Sequence, residues 1–154
     1  IMAMAEVCVG AEKYQVPYGA AQRTEENFGR VDEAIAMAAM YTANHLDVRA
    51  IIALTESGST ARWMSRVRSD IPIYALTPHR STSRRVALYR GVYPVEFEID
   101  MDRPRDVYQD IFGTLLASGH IAAGDLVIFT KGDLDGVTGS TNAMKVLKVP
   151  EGET

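Results

Sequence analysis

The sequence predicts an α/β fold in which helices cover both faces of a mainly parallel β-sheet. Four short apolar runs have the length of buried strands and are bounded by turn residues; they lie at 50–55, 71–77, 92–99 and 125–130. Helical patterns long enough to connect parallel strands separate these runs, at 59–69, 81–89 and 104–119. This alternation indicates a series of β–α–β units.

The two ends of the chain add further elements to this series. Residues 30–46 are predicted to form a helix, because residues at helical spacing make a stripe of Val31, Ala34, Ile35, Ala38, Ala39, Tyr41, Thr42 and His45. The last segment, 141–149, alternates apolar residues with lysines, which predicts a half-buried antiparallel strand at a sheet edge. Residues 2–14 have a helical pattern, whereas 15–29 have no periodicity and are interpreted as a linker.

Length and charge narrow the classes of function. The 154 residues, 47% of them hydrophobic, suffice for one well-buried domain. A net charge of -4 argues against a dedicated nucleic-acid or anionic-membrane binder, and no apolar run is long enough to span a bilayer. The single cysteine, Cys8, cannot form an internal disulfide and is interpreted as a small core residue. We expect a small-molecule partner and a reducing, cytoplasmic compartment.

The stretch "LTESGSTAR" places loop 55–60 between the first predicted strand and the next helix. In a doubly wound sheet, ligands bind beyond the carboxyl ends of the strands, where the strand order reverses. The four hydroxyl side chains of this loop and the N–H groups at the helix start suit a phosphate, and Gly58 permits close backbone approach. Helix capping by Ser57 or Ser59 is the alternative, and it is compatible with phosphate binding. The loop matches no Walker, dinucleotide or hydrolase motif, so it predicts binding without a reaction.

A second glycine-rich segment, "TKGDLDGVTGSTN", follows the fourth predicted strand. Its glycines, at 132, 136 and 139, permit unusual backbone angles, and Ser140 and Thr141 repeat the hydroxyl chemistry of the first loop. If the first and fourth strands are neighbours, both loops face one crevice. The alternative is a long exposed hairpin, although loops of this length in compact domains are commonly functional.

Histidines and arginines carry weaker signals. His45, His79 and His120 are far apart in sequence, so they are interpreted as surface or helix-end residues and not as a metal site. The segment from Arg62 to Arg90 contains seven arginines and one acid. It indicates a solvated or interface surface, or alternatively a surface that attracts an anionic ligand.

Six stretches together resemble the C-terminal domain of the pyruvate kinase family, in order and at the family's spacing. They are "AEVCVGAEK", "AIAMAAMYTANHL", "AIIALTESGSTAR", "PIYALTPHRSTSRRVALYRGVYPV", "GDLVIFTKGD" and "GSTNAMKVLKV". The resemblance implies a three-layer sandwich with a five-stranded mixed sheet, ordered 3-2-1-4-5, whose last strand is antiparallel. This order places the first and fourth strands side by side.

The same resemblance implies two groups of effector-binding residues and no catalytic residue. The loop after the first strand holds an effector phosphate through Thr55, Glu56, Ser57, Gly58, Ser59 and Thr60. The loop after the fourth strand closes over the sugar with Lys131, Gly132, Asp133, Gly136, Gly139, Ser140 and Thr141. Family members activated by fructose 1,6-bisphosphate tend to be basic at position 56 or 59, whereas this chain has Glu56 and Ser59. The "TESG" form is similar to the bacterial type that responds to AMP or a sugar monophosphate, so such an effector is expected.

The resemblance also implies what surrounds this chain. In the family, phosphoryl transfer from phosphoenolpyruvate to ADP, with Mg²⁺ and K⁺, takes place in an upstream (β/α)8 barrel. Residues 1–14 are then the helix that leads out of the barrel, 15–29 a linker, 30–150 the effector-binding and oligomerisation domain, and 151–154 a tail. We therefore expect a C-terminal piece that is inactive alone, contacts the barrel of its own chain, and associates into tetramers when intact and dimers when isolated. The alternatives are a free-standing phosphometabolite-binding module and a pure oligomerisation module.

Overall fold

The computed structural model describes residues 2–14, 27–98, 107–132 and 141–151. The helices in these ranges are α1 (Met2–Tyr14), α2 (Val31–His45), α3 (Ser59–Met64), α4 (Arg80–Val86) and α5 (Val107–Ala117). The strands are β1 (Ala50–Leu54), β2 (Ile73–Thr77), β3 (Val92–Glu96), β4 (Leu126–Gly132) and β5 (Thr141–Lys148). No helix among these residues has the length and apolar character needed to cross a membrane.

The five strands form one mixed sheet in the order β3-β2-β1-β4-β5. Strands β1 to β4 are parallel, and β5 pairs with β4 in the antiparallel direction. At the centre, Ile51 of β1 lies opposite Ile73 of β2 on one side and Ile128 of β4 on the other. The predicted order and the antiparallel last strand are confirmed.

Helices cover both faces of this sheet and create two apolar cores. On one face, α2, α3 and α4 pack against the sheet, and the core includes Met40, Ile51, Met64, Val86 and Ile128. On the other face, α5 packs against the sheet, and the core includes Ile52, Leu76, Ile111, Leu115 and Phe129. Neighbouring residues of a strand point to opposite faces, so the apolar runs of β1 and β4 supply both cores. The predicted three-layer sandwich is therefore present.

Helices α1 and α2 differ from their predicted packing. Cys8 is exposed, so its interpretation as a core residue is wrong, and none of the side chains described at 2–11 of α1 belongs to either core. In α2 the buried residues are Asp32, Ala36, Ala39, Met40 and Ala43. The predicted stripe is rotated from this face, and Val31 and Tyr41 are exposed. Apolar residues surround most of α2, so spacing identifies the helix without identifying its buried face.

Element ends also differ where tight turns replace helix. The helix predicted at 59–69 ends at Met64, and the N–H groups of Arg66 and Val67 then bond to carbonyls three residues earlier. The helix predicted at 81–89 spans Arg80–Val86 and ends in turns of the same kind. The predicted end of the third strand, the start of the helix at 104 and positions 133–140 lie outside the described residues.

Candidate functional site

The carboxyl ends of β1 and β4 lie side by side at the centre of the sheet, where Ala53 is paired with Thr130. Strand order reverses at this point, because the chain proceeds from β1 toward β3 and then returns through α5 to β4 on the other side of β1. A crevice at such a reversal is the usual ligand site of an open α/β sheet. We refer below to the space between loop 55–60 and the adjoining ends of β4 and β5 as the crevice.

Loop 55–60 is held in shape by its own hydroxyl groups. The Gly58 N–H donates to Thr55 Oγ1 at 2.9 Å, and the Ser59 N–H donates to Ser57 Oγ at 3.4 Å. Helix α3 begins at Ser59, and its N-cap residue is Gly58, which has no side chain to cap it. The hypothesis that Ser57 or Ser59 caps the helix is therefore wrong, since glycine holds the capping position.

Gly58 is required at this position for two reasons. Its φ of 78° lies in the left-handed region, which side-chain-bearing residues rarely adopt. A Cβ atom at this position would also lie 2.6 Å from Val86 Cγ1 and 3.4 Å from Thr82 Cγ2, both on α4. The absence of a side chain thus allows the loop to pack directly on α4.

A buried pair of hydroxyl groups joins the two sides of the crevice. Thr60 Oγ1 lies 2.5 Å from Thr141 Oγ1, and both side chains are almost fully buried. Thr60 belongs to the first turn of α3, whereas Thr141 begins β5 and is paired with Gly132 across a register shift in β4. The loop after β1 therefore contacts the strand that follows the second glycine-rich loop.

A buried carboxylate supports the same loop from beneath. Asp32 is 1% exposed, and Arg30 donates to both of its oxygens, from Nε at 2.8 Å and from Nη2 at 3.0 Å. Ser59 Oγ also donates to Asp32 Oδ2 at 2.8 Å. Burial tends to raise the pKa of Asp32, but hydrogen bonds from Arg30 and Ser59 and the charge of Arg30 outweigh burial and hold that pKa below its ordinary value. The carboxylate is therefore ionised at neutral pH.

Helix α4 contacts the other side of the loop through polar groups. His79 Nε2 lies 2.5 Å from Glu56 Oε2, and Thr82 Oγ1 donates to the Glu56 carbonyl at 2.8 Å. Arg85 Nη1 donates to the Ser57 carbonyl at 3.3 Å. These contacts join residues 23 to 28 positions apart, and sequence patterns did not indicate them. The arginine-rich segment thus touches the predicted phosphate loop, and Glu56 has a basic partner.

The second predicted loop is described only in part. Lys131 and Gly132 end β4, and Thr141 begins β5. Asp133, Gly136, Gly139 and Ser140 lie outside the described residues. Strands β1 and β4 are neighbours, as the family resemblance implied, and the position of the second loop stays a prediction.

The metal ions that the family resemblance implies find no ligand set among the described residues. No three side chains of His, Cys, Asp or Glu in these ranges lie close enough together to hold an ion. His45 stacks on Tyr41, His79 contacts Glu56, and His120 stacks on Tyr74, so the three histidines occupy separate surroundings.

A second depression lies far from the crevice, at the amino ends of β2 and β3. Its volume is about 500 Å³, and its lining includes Val9, Arg68, Ile71, Arg90 and Tyr93. All carboxyl ends of parallel strands lie at one end of the sheet and all amino ends at the other. This groove and the crevice are therefore separate sites.

Comparisons with known proteins place this geometry in a family. The family model "Pyruvate kinase, alpha/beta domain" matches residues 33–147. The chain is 45% identical to pyruvate kinase II of Salmonella typhimurium, 42% identical to a pyruvate kinase of Buchnera aphidicola and 38% identical to one of Haemophilus influenzae, each over 150 residues. Each match covers 97% of this chain and 31% of the relative. The chain therefore spans less than a third of the length of these relatives.

Proposed function

Because the chain belongs to the pyruvate kinase family, with its residues 33–147 forming the family's α/β domain, we propose that its crevice binds a phosphorylated small-molecule effector. The observation that carries this proposal is the meeting of two predicted effector loops at Thr60 and Thr141. A ligand that bridges the loops is then held from both sides.

The proposed phosphate site is loop 55–60. Thr55 and Ser57 accept hydrogen bonds from backbone N–H groups, so each hydroxyl keeps its own proton for an acceptor. Gly58 packs against α4 on the side where a Cβ would lie, so its part in this proposal is to shape the loop. A hydrogen bond to a charged group contributes roughly 1.5–3 kcal/mol, so a few such donors suffice to bind one phosphate.

We propose a monophosphate, either a sugar monophosphate or AMP, as the ligand. Glu56 lies within the loop, and its acidic side chain, which contacts His79, disfavours additional negative charge on a ligand. Lys131 at the end of β4 is one candidate to hold a second phosphate, and Arg85, which contacts the loop, is already engaged with the Ser57 carbonyl. A ligand with one phosphate is therefore expected to bind more tightly than a ligand with two.

We also propose that the chain associates with a second copy through β5. The two edge strands differ, because β3 contains Pro94, which cannot donate to a partner strand, whereas the eight residues of β5 include no proline. Val146 of β5 is 42% exposed. Helix α2 packs against β5, and its Val31 and Tyr41 are exposed.

In this proposal the chain works as the regulatory part of a longer pyruvate kinase, in contact with a catalytic barrel that supplies the Mg²⁺ and K⁺ sites. The 154-residue chain alone is then expected to form no pyruvate from phosphoenolpyruvate and ADP. Phosphoryl transfer depends on positioning and metal electrostatics, and the described residues offer no metal-ligand set. Activity that persists through purification and scales with this chain would contradict the proposal.

Calorimetric titration of the 154-residue chain tests effector binding. The ligands are ribose 5-phosphate, glucose 6-phosphate, AMP and fructose 1,6-bisphosphate, with unphosphorylated ribose as the matched control. We expect at least one monophosphate to bind more tightly than the bisphosphate, and ribose not to bind. The bisphosphate binding most tightly, or ribose binding as well as its phosphate, would refute the assignment.

A further inference from the structure

Thr130, near the carboxyl end of β4, has a fully buried side chain whose hydroxyl bonds to none of the described residues. Its register partner on β1 is Ala53, which belongs to the core under α2, α3 and α4, so the Thr130 side chain lies on the same face. The other buried threonines in the described ranges all have hydrogen-bond partners; they are Thr55, Thr60, Thr77, Thr82 and Thr141. A buried hydroxyl without a partner costs free energy, so the exception at Thr130 requires a physical explanation.

The ladder between β4 and β5 is irregular directly after Thr130. Lys131 is paired with Ala143. The next residue, Gly132, is paired with Thr141, so two steps along β5 oppose one step along β4. A bulge of this kind disrupts the ladder locally, and the buried backbone groups beside it then need partners outside the ladder. A buried hydroxyl and a disrupted ladder thus lie within two residues of each other on β4.

We propose that an ordered internal water molecule binds between the Thr130 hydroxyl and the backbone of this bulge. Water suits the position because it accepts the hydroxyl proton and also donates to backbone carbonyls. Buried waters typically make about three hydrogen bonds to polar groups that lack protein partners. Lys131, Gly132 and Thr141 flank the second predicted effector loop, so the water fixes the point at which that loop leaves the sheet. The water site needs no effector, so it is independent of the proposed function.

A crystal structure of the 154-residue chain, at a resolution that shows ordered water, tests this site directly. We expect one water oxygen within about 2.5–3.2 Å of Thr130 Oγ1 and of at least one backbone N or O atom at 131–132 or 141–143. In Thr130→Val this water should be absent. A hydrogen bond from Thr130 Oγ1 to a protein atom in place of water would overturn the proposal. The same holds if no water lies there, or if the water persists in Thr130→Val.

Urea unfolding gives a second test, because Thr130→Val keeps the shape of the side chain and removes its hydroxyl. If Thr130 binds water, the folding equilibrium constant of the variant should be about fivefold or more below that of wild type. A hydroxyl without a partner predicts the opposite sign, since a methyl group suits a buried position better. Thr77→Val is the matched control, because Thr77 is also fully buried at the carboxyl end of its strand and accepts from the His79 N–H at 3.3 Å.

The control shows the effect of removing a buried hydroxyl that has a partner, so Thr77→Val and Thr130→Val should lower the folding constant by similar factors. An unchanged or higher folding constant in Thr130→Val would overturn the proposal. If Thr130→Val does not fold, the crystal structure of the wild-type chain decides between water and a protein partner for Thr130.

Discussion

Thr60 Oγ1 and Thr141 Oγ1 lie 2.5 Å apart although 81 positions separate the two residues in the chain. The bond joins the loop after β1 to the first residue of the edge strand β5. Both side chains are at most 5% exposed, so water does not replace the bond if one hydroxyl is lost.

The first prediction concerns the energy of this hydroxyl pair. Thr60→Val and Thr141→Val should each lower the free energy of unfolding by about 1–3 kcal/mol, because each leaves the other hydroxyl buried without a partner. The loss of unfolding free energy in the double variant should be about 1 kcal/mol smaller than the sum of the losses in the two single variants. Urea unfolding measures all three. Thr114→Val on α5 is the control, since Thr114 donates to the Asp110 carbonyl and should combine additively with Thr60→Val. Additive losses for Thr60 and Thr141 would contradict the coupling.

The second prediction separates backbone strain from crowding at Gly58. Gly91 has a φ of 69° and open space where a Cβ would lie, whereas the Cβ at Gly58 would lie 2.6 Å from Val86 Cγ1. Gly91→Ala should therefore cost only about 1–2 kcal/mol for the left-handed backbone. Gly58→Ala should cost a further 1–3 kcal/mol or so from overpacking. If urea unfolding shows the same loss of unfolding free energy for both variants, α4 moves to accommodate the added Cβ and the prediction of overpacking is wrong.

The third prediction follows from the buried carboxylate. The pKa of Asp32 is lowered in the folded chain, so its ionised form adds stability above the unfolded pKa, and this stability is lost as pH falls through the folded pKa. Asp32→Asn should be less stable than wild type by about 1–3 kcal/mol at pH 7, and the difference should shrink below about pH 4. Asp47→Asn, at an exposed turn, is the control and should change stability by less than about 0.5 kcal/mol. A difference that stays constant down to pH 2 would contradict this role.

The fourth prediction tests the association surface. Val146→Asp places a charge on the exposed part of β5 and should weaken dimerisation by about tenfold or more, because the charge must be desolvated in the interface. Leu88→Asp is the matched control, since Leu88 is 85% exposed in the turn after α4. Analytical sedimentation of wild type and both variants measures the dimer dissociation constants. A wild-type chain that stays monomeric at high concentration, or equal effects of the two variants, would count against β5.

Apolar patterning predicts the fold well, because buried strands need apolar residues on both faces. Ala50–Leu54 and Ile73–Thr77 are almost wholly buried runs, and both were located within two residues. The strand order came from the family resemblance and not from the patterning. The buried face of α2 was missed because apolar residues surround most of the helix, and Asp32, an acidic residue in a first helical turn, resembles a solvated partner of the helix dipole.

The candidate site was predicted in position but not in its connections. The loop after β1 lies next to β4, as expected, yet nothing local in the sequence indicates that His79 contacts Glu56 or that Asp32 holds Ser59. These partners are 23 and 27 positions apart, and polar contacts across such distances depend on how elements pack. Local spacing rules describe one helix or strand at a time and do not contain this information.

The measurement that tests the effector crevice most directly is a backbone-amide NMR titration of the 154-residue chain with ribose 5-phosphate and AMP. Our account predicts saturable shifts, for at least one of the two, that cluster at 55–60 and at Lys131, Gly132 and Thr141, and that are absent with unphosphorylated ribose. Saturable shifts clustered instead at 68–72 and 90–93, in the groove at the amino ends of β2 and β3, would contradict it.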